Sequence, residues 1–349
     1  MPERLRLLVL FTGLIASSLD AANFPQAEIS NKVVRVKIYL PDAKEGFYRG
    51  TRFDWSGMIS SVFYKGHEYF GHWFQRVDPS VRDFSYDGPN IVASPATAAV
   101  GPAEEFVGEA GQPLGYRDAK AGQTFVKIGV GVLRKPDDSA YSAFRNYEVA
   151  NPGKRTVQTS RNAVTFIHEL SDPVSGCNYV YRKTVRLVPG KPEMVIEHSL
   201  RNLAAKDIVT DVYDHNFLRI DGDPSGPDYT IIMPFQVRTD RPPDKELAQI
   251  RGNRIMFVKQ LENQERVFFP IEGFGNTAGD YDVRIENSKA GAGLRISADR
   301  PMQRQVLWSI RAVLAVEPFI RIVAHPGKEF TWRMNYTYYL PVIRAKDAN

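Results

Sequence analysis

One large antiparallel β-sandwich is the fold that three features of the sequence predict. Apolar and polar residues alternate with a period of two from Val33 to Tyr339, segment after segment, which is the pattern of half-buried strands. No segment sustains a 3.6-residue period over the roughly ten residues that an ordinary helix needs. The strands read in this way outnumber those of a seven-stranded sandwich, and neither a linker nor a fixed-period repeat divides them.

The chain begins with a different kind of segment. Arg4 and Arg6 precede an apolar run from Leu7 to Leu19 that is too short to span a bilayer as a helix but suits a secretory leader. Small residues at Ala16-Ser17-Ser18 or Ala21-Ala22 offer cleavage sites. The expectation is a signal peptide over residues 1–22, a single β-sandwich domain over 23–349, and a mature protein that is secreted or periplasmic. No later run is long and apolar enough for a transmembrane helix.

Val33 to Leu40 and Met58 to Tyr64 are the first strands, closed by Pro41-Asp42 and Lys65-Gly66. Residues 78–122 are rich in Pro, Gly, Ala and Asp without periodicity and read as long loops. Strands resume at Thr124 to Arg134, Phe144 to Val149, Ala163 to Leu170, Tyr179 to Val188 and Met194 to Leu203. Beyond Tyr229 they follow at short intervals to Phe319 to Val323 and Glu329 to Tyr339, with Lys245 to Ile250 as the one possible helical turn.

Composition narrows the function. Of 349 residues, 43% are hydrophobic and 11% aromatic, enough for a large core. Cys177 is the only cysteine, so no intrachain disulfide forms and packing alone holds the fold. The net charge of +5 is mild, and no dense Lys/Arg block is interleaved with aromatics, which argues against nucleic acid as a partner. In His67-Glu68 with His72 the second histidine comes five positions after the first rather than the four of the zinc-protease motif, so no metal site is expected. Gly129-Val130-Gly131 lacks a glycine at the last position of a dinucleotide fingerprint and reads as a strand against which another group packs closely.

Three stretches carry polar groups where a cleft could use them. Ile208 to Tyr213 alternates as a strand and ends at Asp214-His215-Asn216; the same residues also suit a turn with a satisfied histidine. Tyr48 to Trp55 brings Arg49, Arg52, Asp54 and Trp55 together, and an aromatic face with Arg and Asp is the set that holds sugars; a surface ion pair beside a buried Trp is the plainer reading. Glu317 stands between Val316 and Pro318 in an apolar run, where a carboxylate is either paired or kept protonated by desolvation. Trp308 and Arg311 lie just upstream.

The ordered set of pieces resembles the aldose 1-epimerases, the galactose-mutarotase-like proteins. The early strand is matched by Gly57-Met-Ile-Ser-Ser-Val-Phe-Tyr-Lys-Gly66 and the strand ending in Asn by Met194 to Asn202. The His-centred motif is matched loosely by Tyr213-Asp-His-Asn-Phe217. Glu317-Pro318, Pro326-Gly-Lys-Glu329 and Phe330 to Tyr339 match the end of the pattern. These pieces span nearly the whole mature chain. The resemblance implies a mutarotase-like supersandwich that interconverts the anomers of a free aldose without a cofactor. It implies that His215 is the acid that protonates the ring oxygen, and Glu317 the base that takes the anomeric proton. Arg52, Trp55, His72, Asp214, Asn216, Trp308 and Arg311 are the candidates for holding the sugar or oligosaccharide. The tract Tyr69 to Trp73 lacks the family's early Leu-His-Gly-Gly element, and His72 is the histidine offered in its place. His215 and Glu317 are expected to face one another across a sugar-sized gap without touching. The competing readings are a polysaccharide lyase or hydrolase relative, with Arg52 and Arg311 neutralising a uronate in a lyase, and a non-catalytic sugar-binding protein.

Overall fold

In the computed structural model, which describes residues 24–341, the alternation becomes twenty-five strands, and helical structure is limited to the 3-10 turns Glu109–Gly111 and Ala278–Asp280. The proposed leader lies outside the described residues. Ten strands make one antiparallel sheet. It runs in space from Lys154–Thr159 through Ala163–Asp172, Cys177–Leu187, Glu193–Asn202, Glu329–Tyr339 and Ala292–Ala298 to the edge at Ala248–Arg251. Five strands make the facing sheet, in the order Arg266–Pro270, Arg304–Ile310, Val313–Ala324, Ile208–Phe217, Gly101–Val107. Three smaller sheets flank this pair, and one of them contains a parallel contact, Arg76–Val77 against Asn90–Ala93.

The ten-stranded sheet follows its sequence pattern because one of its faces is wet. In Ala163–Asp172, Val164, Phe166, His168 and Leu170 are buried while their neighbours are partly or fully exposed. The buried face meets the five-stranded sheet, where Phe106 stands edge-on to Tyr181 with ring centroids 5.3 Å apart. Each large apolar side chain enclosed there contributes roughly 1.5–3 kcal/mol. Most of the five-stranded sheet is covered on both sides. A second apolar cluster containing Phe53, Trp73, Phe125 and Val130 packs on its outer face against Ala103, Phe217, Ile310 and Val313.

Double coverage explains where the sequence misleads. Gly101–Val107 is buried on both faces, so it shows no alternation, and the supposed loop region 78–122 in fact holds it together with Phe84–Asp87 and Asn90–Ala93. The strand expected to stop at Tyr213 continues to Phe217, with Asp214, His215 and Asn216 all buried within it. Glu317 likewise lies inside Val313–Ala324 rather than ahead of a strand at Phe319. Thr124 to Arg134 is a hairpin of two strands, Thr124–Lys127 and Gly131–Arg134. Its turn carries Gly129 at φ +79, where a Cβ would come within 2.6 Å of Asp54 Oδ1. The close packing expected at that glycine is present; the strand through it is not. Lys245 to Leu247 make a single turn that leads into Ala248–Arg251.

Candidate active site

Strand register alone assembles the site. Arg304 pairs with Phe319, Phe319 with Tyr213, and Tyr213 with Glu105, making one line across four strands of the five-stranded sheet. Two residues along, Val306 pairs with Glu317 and His215 with Ala103, so His215 falls opposite Glu317. Two further on, Phe268, Trp308 and Ala315 are linked, and Phe217 follows His215 on the same face. Paired residues of antiparallel strands point to the same side, and alternate residues share a face. Arg304, Phe319, Tyr213, Glu105, Glu317, His215, Phe217, Trp308 and Phe268 therefore all face outward together. There they line a cavity of about 350 Å³ closed by Arg52, Trp73, Asp83, Phe84, Phe144 and Arg266.

At the floor, His215 Nε2 lies 3.1 Å from Glu317 Oε1. The expected gap is absent, because the two side chains are direct cross-strand neighbours and such pairs stand within contact distance. The imidazole is stacked on Phe217, centroids 3.7 Å apart, and meets the Trp308 ring edge-on at 5.2 Å. Burial, helped by the nearby Arg52 charge, pushes His215 well below its ordinary value. Burial pushes the Glu317 carboxyl up to about 8, with Arg52 opposing and Glu105 reinforcing the shift. Both groups thus favour their neutral forms, and at neutral pH the couple holds one proton across the contact, on the carboxyl side.

Beside this couple sits an ionic network. Glu105 accepts hydrogen bonds from Arg52 Nε at 2.7 Å, Lys127 Nζ at 2.9 Å and the Tyr213 hydroxyl at 2.5 Å. Arg52 also donates to the Tyr213 oxygen at 2.9 Å. Burial would raise Glu105, but Lys127 and Arg52 outweigh it and hold the carboxylate down to about 2. Arg52 accordingly shares a cavity with His215, as the sequence suggested, and Trp308 does too.

Other candidates lie elsewhere. Asp214 and Asn216 alternate to the inner face. The Tyr281 hydroxyl donates to Asp214 at 3.3 Å, and Asn216 accepts from Tyr336 and donates to the Val316 carbonyl, both at 2.9 Å. They join the two sheets instead of touching a ligand. Trp55 is a core residue whose indole N–H donates to the Gly50 carbonyl and whose ring lies under Arg155. His72 is stacked on Phe47, with Nε2 3.1 Å from the Tyr39 hydroxyl, outside the cavity lining; its neighbour Trp73 takes the lining position. Arg311 donates to the carbonyls of Gly88 and Pro89 and covers Tyr86, bracing the Phe84–Asp87 hairpin. Glu105, Lys127, Tyr213, Arg304 and Phe319 were missed. The signal for the first was present, since two adjacent carboxylates, Glu104-Glu105, stand between Ala103 and Phe106-Val107. Among the described residues, no cluster of three or more His, Cys, Asp or Glu side chains could hold a metal ion, and no helix is long and apolar enough to cross a membrane.

The two facing sheets and the flanking strands make the galactose-mutarotase-like fold. Solved structures bear this out over nearly the whole chain. An aldose epimerase homologue from C. elegans superposes with a TM-score of 0.52 at 13% identity, covering 91% of this chain and 99% of its own. A galactose mutarotase-like protein from Lactobacillus casei gives 0.51 at 13% identity, with 90% and 100% covered. A protein from Synechocystis gives 0.50 at 12%, with 91% and 97% covered. No protein-family model and no curated protein matches the sequence.

Proposed function

We propose that the protein is a sugar isomerase of the aldose 1-epimerase type, working through the His215–Glu317 couple. The observation that carries this reading is a buried acid–base pair in contact on the floor of a cavity walled by aromatic rings and arginines. Mutarotation needs a proton taken from the anomeric hydroxyl and a proton given to the ring oxygen. Both oxygens are bonded to the same carbon, so two catalytic groups side by side suit the reaction. With Glu317 protonated and His215 neutral, Glu317 gives its proton to the ring oxygen while His215 takes the anomeric one. The bond from the anomeric carbon to the ring oxygen breaks, and that carbon becomes an aldehyde. Rotation about its bond to the next carbon and reclosure on the other face return both protons. These roles are the reverse of those implied by the resemblance, and burial of both groups is the reason. Phe319 and Trp308, on either side of the couple, offer faces for the C–H side of a sugar ring.

The test is anomer exchange followed by NMR on a panel of free aldoses and sugar acids. Exchange on at least one sugar well above the buffer rate is expected. No acceleration on any of them, with sugar binding intact, would favour the non-catalytic reading.

A further inference from the structure

Two cations and one carboxylate are buried together beside the couple. Arg52, 12% exposed, and Lys127, 1% exposed, share the single carboxylate of Glu105, and a buried charge without a counterion is costly. Arg304 adds a third cation on the same cross-strand line. Its guanidinium lies over the Phe319 ring, 4.5 Å from the centroid, and no carboxylate pairs with it among the described residues. Arg52 and Arg304 both bear on Glu317 electrostatically. Arg266, above Phe268 at 5.9 Å, contributes a fourth cation at the far end of the cavity. Against these stand Glu105, already shared, Asp83, whose burial raises it to about 6, and Glu317, which burial keeps protonated.

Resting on the epimerase reading, we propose that the substrate is an anionic sugar, a pyranose carrying its acid group on the exocyclic carbon next to the ring oxygen. That carbon is one bond from the ring carbon that holds the ring oxygen. A ring with its anomeric oxygen at His215 and its ring oxygen at Glu317 carries this carbon past Glu317 towards the neighbouring strand, where Arg304 stands two residues along from Val306, the partner of Glu317. This separation, two residues along a strand, is roughly 7 Å, within reach of an arginine side chain. A guanidinium resting over an aromatic ring without a carboxylate partner keeps N–H groups available for two-pronged binding of a carboxylate or a phosphate. A neutral hexose would leave the surplus charge uncompensated.

The experiment compares kcat/KM for anomer exchange, on the full chain, between glucose and galactose, their uronates and their 6-phosphates, at low and high salt. The anionic sugars should be favoured about tenfold or more, the effect of one charge-assisted hydrogen-bond pair, and salt should shrink the ratio. The uronate and phosphate arms tell the two acid groups apart. Arg304→Gln, at an exposed position, should collapse the ratio to about one, chiefly through KM. A ratio near one in the wild type, or a ratio untouched by Arg304→Gln, overturns the proposal. Binding is measured in parallel by titration calorimetry. Arg304-dependent preference for anionic sugars without exchange would sink the epimerase reading while keeping the anion site; exchange without preference would do the reverse.

Discussion

Glu104 and Glu105 are consecutive residues of one strand, buried alike, and they belong to different chemistries. Glu104 points inward, where it accepts from Lys183 Nζ and, at 3.0 Å, pairs with His198 Nε2. Lys183 and His198 outweigh its burial and pull it below the ordinary range. His198 itself lies flat on Trp332, centroids 4.6 Å apart, and is driven neutral mainly by burial. All of these groups are enclosed between the sheets. Glu105 points outward to a comparable set of partners, Lys127, Arg52 and Tyr213, but its line of side chains borders open volume and the His215–Glu317 couple. Burial and ion pairing are therefore common to both clusters and distinguish neither. The difference is that the outer cluster adjoins a space for a ligand and a couple whose two groups are both held towards their neutral forms by burial.

Breaking the inner cluster should act on stability. Lys183→Met leaves Glu104 with one fewer charged partner in a site fully closed to water, and should cost about 3–5 kcal/mol, read from denaturant unfolding. If the inner cluster instead shared the function of the outer one, the folded variant would lose sugar binding with little change in unfolding midpoint.

The outer cluster should show itself through pH. The active form carries one proton on the couple, so activity should fall as pH rises through about 8, where Glu317 loses it. On the acid side activity should persist well below the ordinary histidine value, because His215 is depressed. The same shift makes Glu317 favour folding at low pH: its raised folded value means stability is fully present below the unfolded carboxyl value and declines towards about pH 8. A profile with its alkaline limb near the ordinary carboxyl range would show that Glu317 is not held protonated.

How much of this was legible follows from which faces are wet. The ten-stranded sheet has one wet face, and its strands from Ala163 to Asn202 were placed within a residue or two of their observed ends. Most of the five-stranded sheet is covered on both faces, so alternation fails in Gly101–Val107 and around His215 and Glu317, and that sheet holds the couple. His215 and Glu317 drew attention as titratable groups among apolar neighbours, and register puts them together. Arg52 was correctly placed near His215 from residue chemistry. Asp214 and Asn216 were assigned to the site with His215 because the strand was expected to end at Tyr213, beside a cleft; in a continuous strand, immediate neighbours face opposite ways. Trp55 and His72 looked like ligand groups because sequence does not reveal which aromatic side chains a flanking sheet buries. Nothing local in the sequence ties Arg304 to Glu317; the tie is its register with Phe319.

The central claim is that Glu317 transfers a proton at the sugar's ring oxygen, and Glu317→Gln tests it most directly. The amide keeps the shape of the side chain and can still hydrogen-bond, but it neither gives up nor takes a proton at this step. Anomer exchange by NMR should fall by roughly a hundredfold or more, while sugar affinity measured by calorimetry changes little. Exchange at the wild-type rate in Glu317→Gln would contradict the account.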